Sequence, residues 1–418
     1  MTIETIKLSS FTGMSNIKNS EGLYVRKGVV QPRIILNADV TARGQIEKRD
    51  GFTKRVTLAG AHSVWGGATC MLCMAGTTLY RVNGTVATSI GSLGGLIAKT
   101  FYAEVGDLVY VSNQYTNKVF DSSDNSLSVW GLAVPNGPVL TYSTGGGLEA
   151  GMYHVCLTTY DSNNNLSGSS PISEIQLPAA GRITVSNRVA NTVVWCTDPN
   201  GDIFYRIGDA DAIGAVPAVE PLPTLFVSQP PFMDYITHAF GRMWGGRGNK
   251  VYYSEPFHLD WFKLGTNFFE FATPVTMVAR MRTGIFIGCQ DRTYCLLGTE
   301  PKEMQQLDVG AGAVPGTLAY CNNIVELGDT ISPPEKKHVS VPVWVSQEGI
   351  VAGNQLGRIF SLSQGRVKFA PGSDGAALYR QRDGDFQYLT SFYKGPDSDS
   401  VGVSDEATVE VIRNGKVI

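Results

Sequence analysis

Few side chains here stand at spacings that do chemistry, and the most suggestive are two thiols. Cys70 and Cys73, in the run Cys70-Met71-Leu72-Cys73, have the spacing of half a zinc knuckle or of a dithiol redox pair. Zinc needs four ligands, and no second close Cys or His pair follows; Cys289 and Cys295 flank a predicted turn instead. The first pair falls in a predicted strand, where alternation sends its two sulfurs to opposite faces, so both read as buried, reduced thiols. The five histidines, His62, His154, His238, His258 and His338, are isolated from one another. A triad or metal site built from them needs a convergence that only the fold could make.

Carboxylates and arginines pose a sharper question, because glycosidases work with carboxylate pairs. The phrase Ser122-x-Asp124-x-Ser126-x-x-Val129-Trp130 resembles the Asp-box turn of sialidases but lacks the glycine that permits the tight turn. Arg280, Arg282 and Arg292 are close enough in sequence to form a clamp for a carboxylate. The plainer reading makes them solvated charges at strand edges. The aromatic run from Phe257 to Phe271, FHLDWFKLGTNFFEF, could stack sugars or bases, but packing is the favoured reading. Gly310-Ala311-Gly312-Ala313-Val314-Pro315-Gly316 has the wrong spacing for a dinucleotide turn and reads as a loop. Neither a Gly-x-Ser-x-Gly elbow nor a Gly-x4-Gly-Lys-Ser/Thr phosphate loop occurs. No catalytic, cofactor-binding or metal-binding residue is assigned, no cofactor is expected, and the chain is not expected to be an enzyme.

The elements that must position any site are strands. No window sustains an apolar i, i+3, i+4, i+7 stripe for more than two turns, and the best helical candidate is Pro301 to Leu307. Strand–turn–strand units recur instead: Thr69 to Val82 about Gly76, Leu108 to Phe120 with a turn at Gln114 to Asn117, and Ala239 to Ser254 folding over Gly245 to Gly248. Gly284 to Leu297, turning at Gln290-Asp291, Val343 to Phe360, and Tyr379 to Tyr393 complete the series. Repetition of this kind without strict identity predicts degenerate propeller blades, two β-sandwiches being the alternative.

Between residues 136 and 228 the pattern changes to short strands with turn signals every ~8–12 residues, the mark of a small sandwich. Its Tyr-Asp-polar loop followed by Ser-Ser-Pro-x-Ser resembles a fibronectin type III or immunoglobulin-like domain. The predicted fold is thus an all-β propeller, residues 1–135 and 229–418, interrupted by an inserted β-sandwich at 136–228.

Composition agrees with an all-β chain and narrows the partners. The 418 residues include 47 glycines, 17 tyrosines and 18 phenylalanines, suited to tight turns and aromatic strands. Charged residues are only 17%, with formal net charge −3 and no basic block, so an exposed polyanion-binding face is not indicated. The N-terminal MTIETIKLSS lacks the pattern of a secretory signal, and no run approaches the ~20 apolar residues of a membrane span. Seven irregularly spaced cysteines fit reduced thiols better than a disulfide scaffold.

The segment Phe11 to Phe52 combines a Phe-x-Gly-x-x-Asn opening, an Asn-x-Asp-Val-Thr strand, a Gly44 turn and an Arg-Asp-Gly-Phe close. Physically it is a hairpin with a charged rim, Ile34, Leu36, Ala38 and Val40 forming one face, followed by a short strand around Gln45 to Lys48. In wording it resembles the N-terminal motif of the β-propeller proteins at bacteriophage head-to-tail junctions, the packaged-DNA stabilisation or tail-nozzle family. The Tyr253-Ser254-Glu255-Pro256 phrase and Gly284-Ile-Phe-Ile-Gly followed by Thr293-Tyr294-x-Leu296-x-Gly298 extend the resemblance in order along the chain.

That resemblance implies a structural tail protein of the virion, assembled in the host cytoplasm. It would form a homo-oligomeric ring, a hexamer, below the portal and adaptor proteins, beside tail fibre or spike proteins. Its ring would extend the channel for double-stranded DNA, retain the packaged genome and pass it at ejection without sequence specificity. Arg43, Lys48 and Arg49 are the expected subunit contacts, and the N-terminal hairpin is expected to close a propeller with strands around Thr408 to Ile412. The alternatives are a host-glycan-binding or glycan-cleaving tail protein, with Arg280 to Arg292 and the aromatic run lining its pocket, and a free-standing propeller interaction module.

Overall fold

The computed structural model describes residues 23–26, 29–32, 38–40, 45–48, 53–321, 340–363, 372–382, 385–393, 408–413 and 416–417. Among them the one helical segment is a single 3-10 turn, Pro301–Glu303, and the rest of the regular structure is strand. Six four-stranded antiparallel sheets have their strands in sequence order, each a meander of the β-propeller-blade type. They occupy residues 61–92, 101–129, 234–270, 275–311, 319–361 and 374–417, numbered here meanders 1 to 6. The fold is all-β, of propeller type in its repeating unit.

Several inner strands of the meanders are apolar on both faces. Gly284–Cys289 and Gly349–Gly353 are buried at every residue, whereas the outer strand Val86–Ser92 is exposed or half-buried throughout. Strands covered on both sides read as continuous apolar runs rather than alternating ones. Meander 4 therefore carries IFI and meander 5 carries IVA where a one-sided sheet would alternate.

The chain divides into two compact units. One contains residues 58–247 and 251–269, and thus meanders 1 and 2 and most of meander 3. Leu72 and Leu79 of meander 1 share a core with Val109, Val111 and Phe120 of meander 2. Ala103 and Tyr110 of meander 2, with Trp130 just after it, share the next with Met243 and Phe262 of meander 3 and with Met233 just before it. Meanders 2 and 3 are therefore neighbours in space although residues 130–233 separate them in the chain.

Those intervening residues form two further sheets. One has the strand order Val139–Leu148, Gly181–Ser186, Ala212–Ile213; the other runs Ser173–Leu177, Gly151–Thr159, Thr192–Thr197, Phe204–Gly208. They enclose one core, with Leu148, Ile183 and Ile213 from the first sheet and Tyr153, Val155, Leu157 and Val194 from the second. The outer face of the second sheet carries Cys156, Trp195 and Phe204. This segment, hereafter the insert, leaves and returns at one place: Gln229 Nε2 donates to the Gly131 carbonyl at 3.1 Å.

The other unit contains residues 1–57, 248–250 and 270–418. Met277, Phe286 and Cys295 of meander 4 share a core with Trp344 and Val351 of meander 5. Val343, Ile350 and Ala352 of meander 5 pack with Tyr388 of meander 6, whose hydroxyl donates to the Thr317 carbonyl at 2.5 Å. The N-terminal strands form two separate hairpins, Leu23–Arg26 with Val29–Pro32 and Ala38–Val40 with Ile46–Lys48.

Four expectations need correction. The strand Thr408–Arg413 pairs with Asp385–Tyr393 and Lys416–Val417, completing its own meander instead of joining the N-terminal hairpin. The turn of meander 2 is confined to Gln114 and Tyr115, since Thr116 and Asn117 already pair with Asn113 and Ser112. In meander 3 the chain reverses at Gly248-Asn249, while Gly245 and Gly246 lie in the strand Arg242–Arg247. A Cβ on Gly245 would stand 2.8 Å from Met233, so the glycine serves close packing and not a turn. Of the helical candidate Pro301 to Leu307, Gln305 onward is strand, paired with Leu297 and its neighbours.

Candidate functional site

The structure places the sequence-predicted groups apart. Lys48 is exposed on the strand Ile46–Lys48, opposite Ala38; Arg43 and Arg49 lie outside the described residues. Arg280 ends the first strand of meander 4, level with Ile285 and hence with Leu296. Arg292 begins the third strand, four residues from Leu296, a separation of about 13 Å at strand rise. Arg292 pairs with Asp308 at 3.7 Å and Arg280 lies over the Tyr320 ring. Two of the three guanidiniums thus serve opposite ends of the sheet and do not share one anion.

The thiols are also separate. All seven cysteines are free, and six are buried. Cys196 faces the insert's core while Cys156, one strand over, faces the other side of the same sheet. Burial raises the Cys156 thiol strongly, with the nearby Cys196 adding to it, and pushes Cys289 and Cys295 up to about 12. Thiols held protonated in this way are poor nucleophiles and poor metal ligands. Among the described residues no group of three His, Cys, Asp or Glu side chains could hold a metal ion.

The Asp-box-like phrase forms the turn between the third and fourth strands of meander 2. Asn125, at φ +64, takes the left-handed position a glycine would supply. Asp124 accepts the Ser126 N–H at 2.8 Å and Asp121 accepts the Ser123 N–H at 2.8 Å. Arg81 of meander 1 donates to Asn125 Oδ1 and to the Ser122 carbonyl. Trp130 is buried against Tyr110 and Phe262, its indole N–H on the Leu259 carbonyl. These polar groups tie adjacent meanders together.

A similar latch joins the first turn of meander 1 to meander 2. The Glu104 carboxylate accepts the backbone N–H groups of Ala68 and Thr69, at 2.7 and 2.8 Å, and the Thr69 hydroxyl at 2.6 Å. Burial works against its ionisation, but these donors prevail and hold its carboxyl below the usual range.

The richest polar convergence lies where the insert meets meanders 2 and 3. The Ser112 hydroxyl stands 2.5 Å from Asn117 Oδ1 and 2.6 Å from the Met233 carbonyl, and it accepts the Met233 N–H at 3.1 Å. Asn117 Nδ2 donates to the carbonyls of Pro230 and Pro231. Two prolines cannot donate to a ladder, so side chains from meander 2 satisfy the strap that returns from the insert. Across the seam, Trp261 donates its indole N–H to the Leu166 carbonyl at 3.2 Å and stacks on His258. Asp161 folds the polar loop by accepting the N–H groups of Asn163 and Asn165. Burial raises the Asp260 carboxyl, its own N–H and His258 oppose the rise, and Asp161 adds to it. Sequence places Asn117 in a turn, Asp161 in a polar loop and Trp261 in a packing run, but it joins none of them to this seam; the Pro230-Pro231 pair is the one local sign that side chains must replace a ladder here.

The aromatic run behaves partly as expected. Phe262 and Phe271 are buried, and Phe269 stacks on Trp244. Phe257 instead is 85% exposed with φ +61, held by its N–H on the Gly241 carbonyl at 2.7 Å.

The far end of the insert is an acidic tip. Its turns at 149–150 and 198–203 are tied together by reciprocal bonds, Asn200 N–H to the Met152 carbonyl and Met152 N–H to Asn200 Oδ1. Glu149 and Asp202 are exposed and Asp198 is half-buried. Among the described residues no ion pair involves any of the three.

No family model matches the chain, and no curated protein is similar to it in sequence. Among solved structures it is similar to BBS1N in complex with ARL6DN, with 11% identity and a TM-score of 0.30 over 82% of this chain and 93% of that one. It is also similar to KlHsv2 with loop 6CD replaced by a Gly-Ser linker, at 10% identity and TM-score 0.28 over 82% and 93%. For Sqt1 of Saccharomyces cerevisiae the values are 9% and 0.21 over 73% and 99%. Likeness this slight carries no functional argument, and the fold class rests on the strand order.

Proposed function

We propose that the chain is a structural subunit of a bacteriophage tail, a nozzle or stopper ring below the portal and adaptor that extends the DNA channel, retains the packaged genome and passes it at ejection. The observation that carries this reading is the order of parts. The Phe11 to Phe52 wording stands at the N-terminus, and a two-sheet insert separates the second and third four-stranded meanders. The Tyr253-Ser254-Glu255-Pro256 phrase and the Gly284 to Gly298 phrase then follow in the sequence that the nozzle family uses. The insert is read as a fibronectin III or immunoglobulin-like sandwich, and the chain's role as non-enzymatic.

Physical arguments support the role. Edges protected within repeated meanders suit assembly around a symmetry axis, and a weakly acidic chain does not hold sliding DNA by its phosphates. The glycan-cleaving alternative is disfavoured by the separation of Arg280 from Arg292. Electron micrographs of the purified chain, at high concentration and with adaptor protein, test the proposal. Closed rings of one symmetry are expected, together with no turnover of sialosides. A monomer under every condition, or robust glycosidase turnover, overturns it.

A further inference from the structure

Two carboxylates act on each other where the insert joins the meanders. Asp260 lies in the loop of meander 3 whose Phe262 exchanges backbone bonds of 2.7 and 3.2 Å with Ser228. A Cβ on Gly131, where the chain leaves for the insert, would stand 3.4 Å from Asp260 Cβ and 2.9 Å from Pro230, where the chain returns. Asp260 therefore sits at the root of the insert. Burial raises its carboxyl first of all, against its own N–H and His258, and the charge of Asp161 on the insert's polar loop raises it further. Asp161 behaves oppositely. Burial works against its charge, but the Asn165 side chain and the N–H groups of Asn165 and Asn163 prevail and hold its carboxyl below the usual range. A proton taken up at this joint thus goes to Asp260 before Asp161.

The other groups around Asp260 bring little to offset that repulsion. Tyr110 of meander 2 is a neutral phenol, pushed up to about 12 by burial and then by the Asp260 carboxylate. Segments 130–135 and 228–233, which lead out to the insert and back, contain no charged residue. Lys263 is paired with Glu255 at 3.3 Å. His258 is the one base that acts on Asp260, and it stacks on Trp261, whose indole N–H holds the Leu166 carbonyl of the insert. We propose that this joint is a pH-sensitive hinge: the insert is seated firmly in acid, with Asp260 protonated and His258 charged, and loosens as pH rises and two like charges face one another across the seam. The sign follows from linkage. A carboxyl that holds its proton more tightly when the insert is seated contributes to seating at low pH, and that contribution is lost as pH rises through its raised value. The hinge stands apart from the tail reading, since it needs only the joint within one chain.

Hydrogen exchange on the full-length chain, converted to protection factors between about pH 4 and about pH 8, tests this at the amides of Ser228 and Phe262, which bridge the seam. Protection there should fall by roughly threefold or more as pH rises, while the strands Leu108–Asn113 and Gly151–Thr159 keep theirs. Asp260→Asn should hold the seam at its acid level throughout. Asp161→Asn, whose amide oxygen can still accept the loop's N–H groups, should lessen the dependence without disturbing the packing of Asp260. Asp234→Asn should leave the dependence in place, which separates this joint from the buried carboxyl that opens meander 3. Equal seam protection at both ends of the range overturns the hinge, as does a dependence that survives Asp260→Asn and Asp161→Asn or vanishes with Asp234→Asn.

Discussion

Asp234 shows how a single side chain reports on its surroundings. It opens the first strand of meander 3, opposite Gly246 and beside the register shift that follows. Burial alone raises its carboxyl to about 6 from 3.8. The folded chain therefore holds a proton that the unfolded chain has already released, so stability falls as pH rises from about 4 through 6 and stays lowered above. Asp234→Asn is expected to stabilise the protein at pH 7 by on the order of 1–2 kcal/mol, allowing for partial exposure, and by little at about pH 3, below both values. Urea titrations at both pH values measure the difference; an equal effect at both would mean that ionisation is not the cause. Sequence gave no hint of this group, because the low dielectric around it comes from residues distant in the chain.

At the scale of elements, the sequence was most legible where a turn is local. Gly76 and Gln290-Asp291 reverse their hairpins where turn chemistry places them. It was least legible where a turn-forming residue serves a distant partner. Gly245 packs on Met233, and Asn117 holds Pro230 and Pro231, so neither residue turns the chain. Asn125 did the reverse, supplying a left-handed position where no glycine was present. Gly168 belongs with the long-range cases: a Cβ there would stand 1.7 Å from the Val227 carbonyl oxygen, a backbone atom that cannot swing aside. Gly168→Ala is expected to cost about 1–3 kcal/mol or more and to loosen the return strap. Hydrogen exchange should show the loss concentrated at 224–233; a uniform change, or none, would contradict the close approach.

For the whole molecule, the all-β class could be read from periodicity and turn spacing, because it is written in local pattern, whereas the division into two compact units, which keeps the insert with meanders 1 and 2 and most of meander 3, could not. The neighbourhood of meanders 2 and 3 could not, since it depends on contacts such as Phe101 with Tyr235, 4.5 Å between ring centroids, across the whole insert. Replacing residues 133–227 with a short Gly-Ser linker should leave a folded chain, since its ends are already side by side at Gly131 and Pro230. Circular dichroism and the melting transition check this. Collapse to an unfolded chain would show that the insert is a structural necessity.

The shared point of entry and exit also decides how the insert would respond to force. A load drawn from its acidic tip reaches the remainder through two adjacent irregular segments, at Gly131 and at Gln229. It would meet the Trp261 bond to Leu166 and the paired bonds of Ser228 with Phe262 in succession instead of together. Bonds broken one after another resist far less than bonds sheared in parallel, so the insert would peel away as a compliant arm while the meanders beneath it stayed closed.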